Sequence, residues 1–120
     1  MKRVTGWNAA AVLIVLTPLA AAQDLAVSAG PQAKVLLDNE RVRVLELVTE
    51  PGAKTGVHSH GEHFVYFVTD GVALQADADG TTTRRPLKSG EVMWSGPVTH
   101  DTENGGDAAV KTLIVELKDE

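Results

Sequence analysis

Cysteine is absent from this 120-residue chain, which excludes a disulfide framework, a thiol nucleophile and a thiolate metal ligand together. Basic residues are outnumbered, 11 Lys and Arg against 16 Asp and Glu, for a formal charge of −5. With no basic patch to follow a phosphate backbone, nucleic acid is not an expected partner. Outside the N-terminal segment, no window of helical length repeats its apolar residues every 3.6 positions. The glycines Gly52 and Gly105-Gly106 are turn glycines without a following helix, so no phosphate-cradling loop is indicated. Ser59 stands between two histidines and should point away from their shared face, which argues against a serine hydrolase. Histidine, with only four residues, and the carboxylates must carry any chemistry.

The N-terminus reads as a leader. Lys2 and Arg3 form a short basic region, Ala9 to Leu16 is an uncharged apolar run, and Ala20-Ala21-Ala22 supplies the small residues of a signal-peptidase site. The apolar run is shorter than the roughly 20 residues of a spanning helix and Pro18 interrupts its end. The expectation is a signal peptide over 1–22, cleaved before Gln23, with no stable membrane insertion afterwards and a periplasmic or secreted product. Cleavage takes away Lys2 and Arg3, so the charge moves from −5 to −7 over the remaining 98 of 120 residues. That length makes one domain with an adequate but modest core, which oligomerisation would assist.

The mature chain reads as all-β. Residues 23–33 are small and weakly patterned, with Gly30-Pro31 as a breaker, and are expected to form a loosely held N-terminal arm. Val42, Val44, Leu45, Leu47 and Val48 make an apolar strand ended by Pro51-Gly52, a type II turn signal. Phe64-Val65-Tyr66-Phe67-Val68 carries apolar residues on both faces, as in a strand covered on two sides by a packed second sheet or a dimer partner. Val72 to Ala76, Thr81 to Arg85 and Val92 to Trp94 are further short strands, with hairpin chemistry at Asp77-Ala78-Asp79-Gly80. Asp101 to Asp107 reads as a polar, solvated loop, and Val110 to Leu117 alternates cleanly. Short strands divided by glycine-rich turns, with no internal repeat and no linker, indicate a barrel or sandwich.

Two histidines at i and i+2 on a strand point to one face, so His58 and His60 can share a metal ion that His100, from a distant strand, would complete. Three neutral imidazoles leave at least one coordination position open, the arrangement of a catalytic site rather than a closed structural one. Imidazole suits several ions alike, so Fe, Mn, Ni, Cu and Zn all stay open.

These residues resemble the cupins, small jelly-roll β-barrels with two motifs. The first, G-x5-H-x-H-x3,4-E-x6-G, is matched by Gly52, His58, His60 and Gly71. The second, G-x5-P-x-G-x2-H-x3-N, is matched by Gly90, His100 and Asn104 with one residue fewer before the histidine, and Gly96-Pro97-Val98-Thr99 replaces its Pro-x-Gly segment. The resemblance extends over 34–117 and implies a single-domain cupin barrel there. Phe64 stands where the family's metal-binding glutamate usually does, which reduces the usual ligand set to His58, His60 and His100. Glu62, which shares strand parity with the histidine pair, is a candidate fourth ligand or catalytic base, and His63 a candidate fourth ligand if the chain bulges there. Phe64 is expected to fill the barrel core, with Tyr66 and either Met93 or Trp94 as candidates to line the cavity. Asn104 is expected to fix the loop after His100.

The fold serves many functions, so what the resemblance implies about activity is broad. A three-histidine site resembles that of the thiol dioxygenases, which points to a metal-dependent oxygenase acting on a small molecule, and an isomerase or lyase using a Lewis-acid metal fits as well. The alternative is a non-catalytic barrel that binds a small ligand or the metal itself. Small cupins often pair through their sheets, so a homodimer is expected, with Phe67 and Val65 at its surface.

Overall fold

The computed structural model describes residues 22–119. Apart from Ala22, the leader expected over 1–22 lies outside them. Ten strands follow in order: β1 (Gln23–Asp24), β2 (Ala33–Asp38), β3 (Val42–Thr49), β4 (His58–His60), β5 (His63–Phe67), β6 (Gly71–Asp77), β7 (Thr82–Leu87), β8 (Val92–Ser95), β9 (Val98–Asn104) and β10 (Val110–Leu117). They form two five-stranded sheets, β1-β4-β9-β6-β7 and β2-β3-β10-β5-β8. The chain crosses repeatedly from one sheet to the other, and every pairing except β1 with β4 is antiparallel. This is the all-β jelly roll expected.

Turn chemistry explains where strands stop. Pro51-Gly52 closes with the Ala53 amide donating to the Glu50 carbonyl at 2.9 Å, and Gly52 takes the φ of +80° that a side chain would disfavour. At Gly71 the requirement is space rather than φ, since a Cβ there would lie 2.5 Å from Val110 Cγ2. Alternation then sorts the faces. On β10, Val110, Thr112 and Ile114 are buried while Lys111, Leu113 and Val115 are less so, and β3 buries Leu45 and Thr49 in register with Ile114 and Val110.

The structure departs from expectation at three places. Residues 23–33 are not loosely held. Leu25 and Ala29, on a single helical turn α1 (Leu25–Ser28) and just after it, are 1 % and 4 % exposed and pack with Leu45 and Ile114 in one apolar cluster. Small side chains carry little periodic signal, so the segment's packing against Leu45 and Ile114 was not visible in its pattern. The polar stretch Asp101–Asp107 is in part strand, because β9 runs on to Asn104 by pairing with β6; polar residues suffice on a strand whose ladder is made by the backbone.

The third departure concerns β5. His63 and Phe67 are buried, and Val65 with them faces the interior, whereas Phe64 and Tyr66 face outward. Phe64 therefore does not fill the core, Tyr66 does not line the cavity, and Phe67 and Val65 are not at an outer surface. The reason is parity: the chain breaks at Gly61-Glu62 between β4 and β5, so the count along β4 does not carry into β5. On the outer face, Leu37, Val44, Val115, Phe64 and Trp94 stand in one cross-strand row through all five strands of that sheet.

Candidate metal centre

The i, i+2 rule holds on β4, where His58 and His60 are buried and Ser59 between them is exposed. Antiparallel pairing sets His100 on β9 directly opposite His58. The ring centroids of His58 and His100 are 4.8 Å apart, as are those of His58 and His60. One ligand atom from each of His58, His60 and His100 lies within 4.8 Å of the others, a grouping that could hold one ion.

Hydrogen bonds decide which ring nitrogen is available. His58 Nδ1 lies 2.7 Å from the Gly56 carbonyl, an acceptor, so it carries the proton and donates. His60 Nδ1 donates in the same way to Glu116 Oε2 at 2.8 Å. In both rings Nε2 is left with its lone pair free, the tautomer that metal ligation requires and that a carbonyl or carboxylate partner characteristically sets. Burial holds His58 below the ordinary imidazole range. It pushes His100 down to about 3, helped by the neighbouring histidines. Both imidazoles are thus neutral at pH 7 and competent as ligands.

Glu116 is the site residue that the motifs did not reveal. It stands on the inward face of β10, in register with Arg43 on β3 and His63 on β5. Its second oxygen accepts from Arg43 Nε at 2.8 Å, and Arg43 in turn forms a two-pronged pair with Asp24. Burial alone would raise the Glu116 carboxyl, but the hydrogen bonds from His60 and Arg43 outweigh it and hold the group below the usual carboxylate range. A negative charge is therefore delivered to the histidine cluster one hydrogen bond away from where an ion would sit. The clean alternation of Val110 to Leu117, which puts an acid at an inward position, was the available signal.

The other candidates fall into place around this centre. Glu62 is exposed in the turn between β4 and β5 and lies outside the three-histidine group. His63 is 2 % exposed and faces the cavity as a bulge would require, but it also lies outside the group: its ring stacks on His60 at 4.3 Å and its Nδ1 donates to the Gly61 carbonyl. Burial lowers its pKa too. With three residues between it and His60 the family's glutamate position falls at Phe64, which faces away, and with four it falls at Val65, which faces in; neither brings a carboxylate. Asp77, read from sequence only as a hairpin residue, stands opposite His100 on β6 and lines the cavity. Asn104 ties down its loop as expected, donating to the Thr49 and Ala108 carbonyls and accepting from the Gly106 amide, each at 2.9 Å.

The histidines face a cavity of about 330 Å³ between the sheets, with an apolar wall formed by Phe67, Leu87, Val110 and Met93. Met93 lines it as expected. Trp94, opposite outward-facing Phe64, stands on the other face and is 58 % exposed, so it does not line the cavity with its side chain as Met93 does. A cavity of that size admits a small molecule of a few heavy atoms beside the histidines.

No family model matches the chain. The β-alanine degradation protein BauB of Pseudomonas aeruginosa is 35 % identical over 95 residues, which cover 76 % of this chain and 99 % of that protein. A cupin domain from Bordetella pertussis is 30 % identical with a TM-score of 0.69, over 72 % of this chain and 92 % of that one. A predicted oxalate decarboxylase from Thermotoga maritima is 25 % identical with a TM-score of 0.51, over 71 % and 77 %. Jelly-roll topology, the histidines of both motifs gathered at one point and these likenesses agree: the chain belongs to the cupin superfamily.

Proposed function

We propose that the protein binds one divalent metal through His58, His60 and His100 and uses it to act on a small molecule held in the barrel cavity. The observation that carries this reading is the pair of fixed tautomers. Gly56 and Glu116 hold His58 and His60 with Nε2 unprotonated, within the group that His100 completes, and that is the tautomer ligation needs. The metal would supply a Lewis acid or a redox centre with open positions. The chain's own residues would then exclude water with the apolar wall and keep the imidazoles neutral by burial. A metal-dependent oxygenase or isomerase is the activity this set suits. The name of the Pseudomonas relative directs the first substrate screen to small amino and carboxylic acids.

A second reading, a barrel that binds without turnover, is favoured by Val65: no carboxylate stands at either position the family's glutamate takes. Elemental analysis tests the first. Near-stoichiometric Fe, Mn, Ni, Cu or Zn that vanishes in the His58→Ala/His60→Ala variant supports it. Absence of metal in both proteins after incubation with each ion would leave the second.

Export and dimerisation complete the proposal. The leader supports a periplasmic or secreted product, checked by N-terminal sequencing of the exported protein for Gln23. The outward apolar row, with Trp94 at 58 % and Leu37 at 48 % exposed, supports a homodimer through the β2-β3-β10-β5-β8 sheet. Light scattering should give a dimer that Trp94→Lys disrupts.

A further inference from the structure

At the end of the cavity away from the histidines stands Arg85, the one cation among the residues lining it. Strand β7 turns Thr83, Arg85 and Leu87 inward, and Arg85 pairs with Ala73 on β6, which pairs with Asn104 on β9. That row lies four residues along β9 from His100, about 13 Å of strand. Beside it the lining is mixed: Ala73 and Leu87 belong to a buried apolar cluster with Phe67 and Val110, and Thr83, Gln75 and Asn104 are neutral polar residues, so no carboxylate stands next to it in these rows. Arg85 Nε is buried and has no hydrogen-bond partner, and among the described residues Arg85 forms no ion pair.

A half-buried guanidinium is ordinarily paired, because an unmet charged donor is costly. In a chain of net charge −5 a carboxylate partner would be easy to supply, as Glu116 and Asp24 do for Arg43. Arg85 has none. We propose that Arg85 is the anion-binding end of the substrate cavity and takes the carboxylate of a small organic acid in a two-pronged hydrogen bond, leaving the other end of that acid facing the histidines. The planar fork matches carboxylate and phosphate alike, but a single cation in a cavity that also holds Asp77 meets the one charge of a carboxylate better than the larger charge of a phosphate. The inference rests on the proposed function for its placement of the reacting end. Its anion site stands on Arg85 alone.

The test is an NMR titration of the chelator-treated protein with propionate, propionamide and inorganic phosphate, in wild type, Arg85→Gln, Arg85→Lys and Arg84→Gln. Arg84 is on the same strand but exposed. We expect saturable propionate binding at least tenfold weaker in Arg85→Gln, an intermediate loss in Arg85→Lys, wild-type affinity in Arg84→Gln, and propionamide bound no better than propionate is by Arg85→Gln. Equal propionate affinity in wild type and Arg85→Gln, no saturable binding in wild type, or phosphate bound more tightly than propionate would each overturn the proposal. Should Arg85→Gln not fold, the comparison of wild type with Arg85→Lys decides, since loss of the fork alone must weaken propionate. Cobalt binding is measured in parallel. Failure of wild type to bind cobalt counts against the metal reading and leaves the propionate result intact, whereas cobalt binding without Arg85-dependent propionate binding removes only this inference.

Discussion

Glu116→Gln removes a charge and almost no volume, and it changes what His60 can do. The carboxylate only accepts, so His60 Nδ1 must donate and Nε2 stays bare. An amide can present its NH2 to Nδ1 instead, which moves the ring proton to Nε2 and blocks the ligand position. Partners of this kind are worth about 10–100-fold in metal affinity, or about 1.4–2.7 kcal/mol. The cost to the fold is separate. Two charge-assisted hydrogen bonds, to His60 and to Arg43 at 2.8 Å each, become at best neutral-acceptor ones. With hydrogen bonds to charged groups worth about 1.5–3 kcal/mol and neutral ones about 0.5–1.5, the His60 bond loses about 1–1.5 kcal/mol and the Arg43 bond, whose donor stays charged, no more than that, for about 1–3 kcal/mol in all. The total is kept to the lower part of that range because Arg43 retains Asp24. The assay is chelator competition for Zn²⁺ or Co²⁺, beside thermal melting of chelator-treated protein, in which each kcal/mol lowers Tm by roughly 4–8 °C for a domain this size. The expected result is a loss in both. Wild-type metal affinity in a destabilised Gln variant would refute the tautomer argument and reduce Glu116 to an ion-pair partner of Arg43.

Metal at about 100 times its Kd should stabilise the fold by roughly 2.7 kcal/mol, so chelator should lower Tm in wild type and leave His58→Ala/His60→Ala unmoved; equal melting of wild type with and without chelator contradicts the site. Acid should destabilise the chelator-treated protein through the same histidines. His58 and His100 have pKa values lowered in the fold, His100 to about 3, so below the unfolded value of about 6.5 the unfolded chain binds more protons and stability declines as pH falls from there towards 3. Melting curves at pH 7 and 4.5 for wild type and His100→Ala test it, with a smaller acid effect expected in the variant and an equal one disproving the assignment. Leu25→Ala should cost about 2–5 kcal/mol by opening a cavity in the cluster with Leu45 and Ile114. Val27→Ala, at a position 64 % exposed, should stay within about 0.5 kcal/mol, and denaturant melts of the two variants that coincide would show the N-terminal arm to be dispensable.

Sequence alone determined the all-β class, the turn at Pro51-Gly52, the span of β10 and the identity of the three histidines. Each of these rests on local rules: the period of two that puts His58 and His60 on one face, the φ that only glycine adopts cheaply, the spacing of the motifs. Which residues of β5 face inward was not local, because the break at Gly61-Glu62 resets parity and no count along the chain can see it. That break sent Phe64 and Tyr66 outward and brought His63 inside. Glu116 joins the histidine cluster, and Asp77 and Arg85 the cavity, for a different reason. Each is an ordinary strand residue until pairing across two sheets sets it beside residues as far away in sequence as His60 is from Glu116. The same closure buried Leu25 and Ala29, whose small-residue neighbourhood carried no pattern. Chemistry that depends on one strand is readable from its residues. Chemistry that depends on what faces them across the barrel is decided only when the sheets pack.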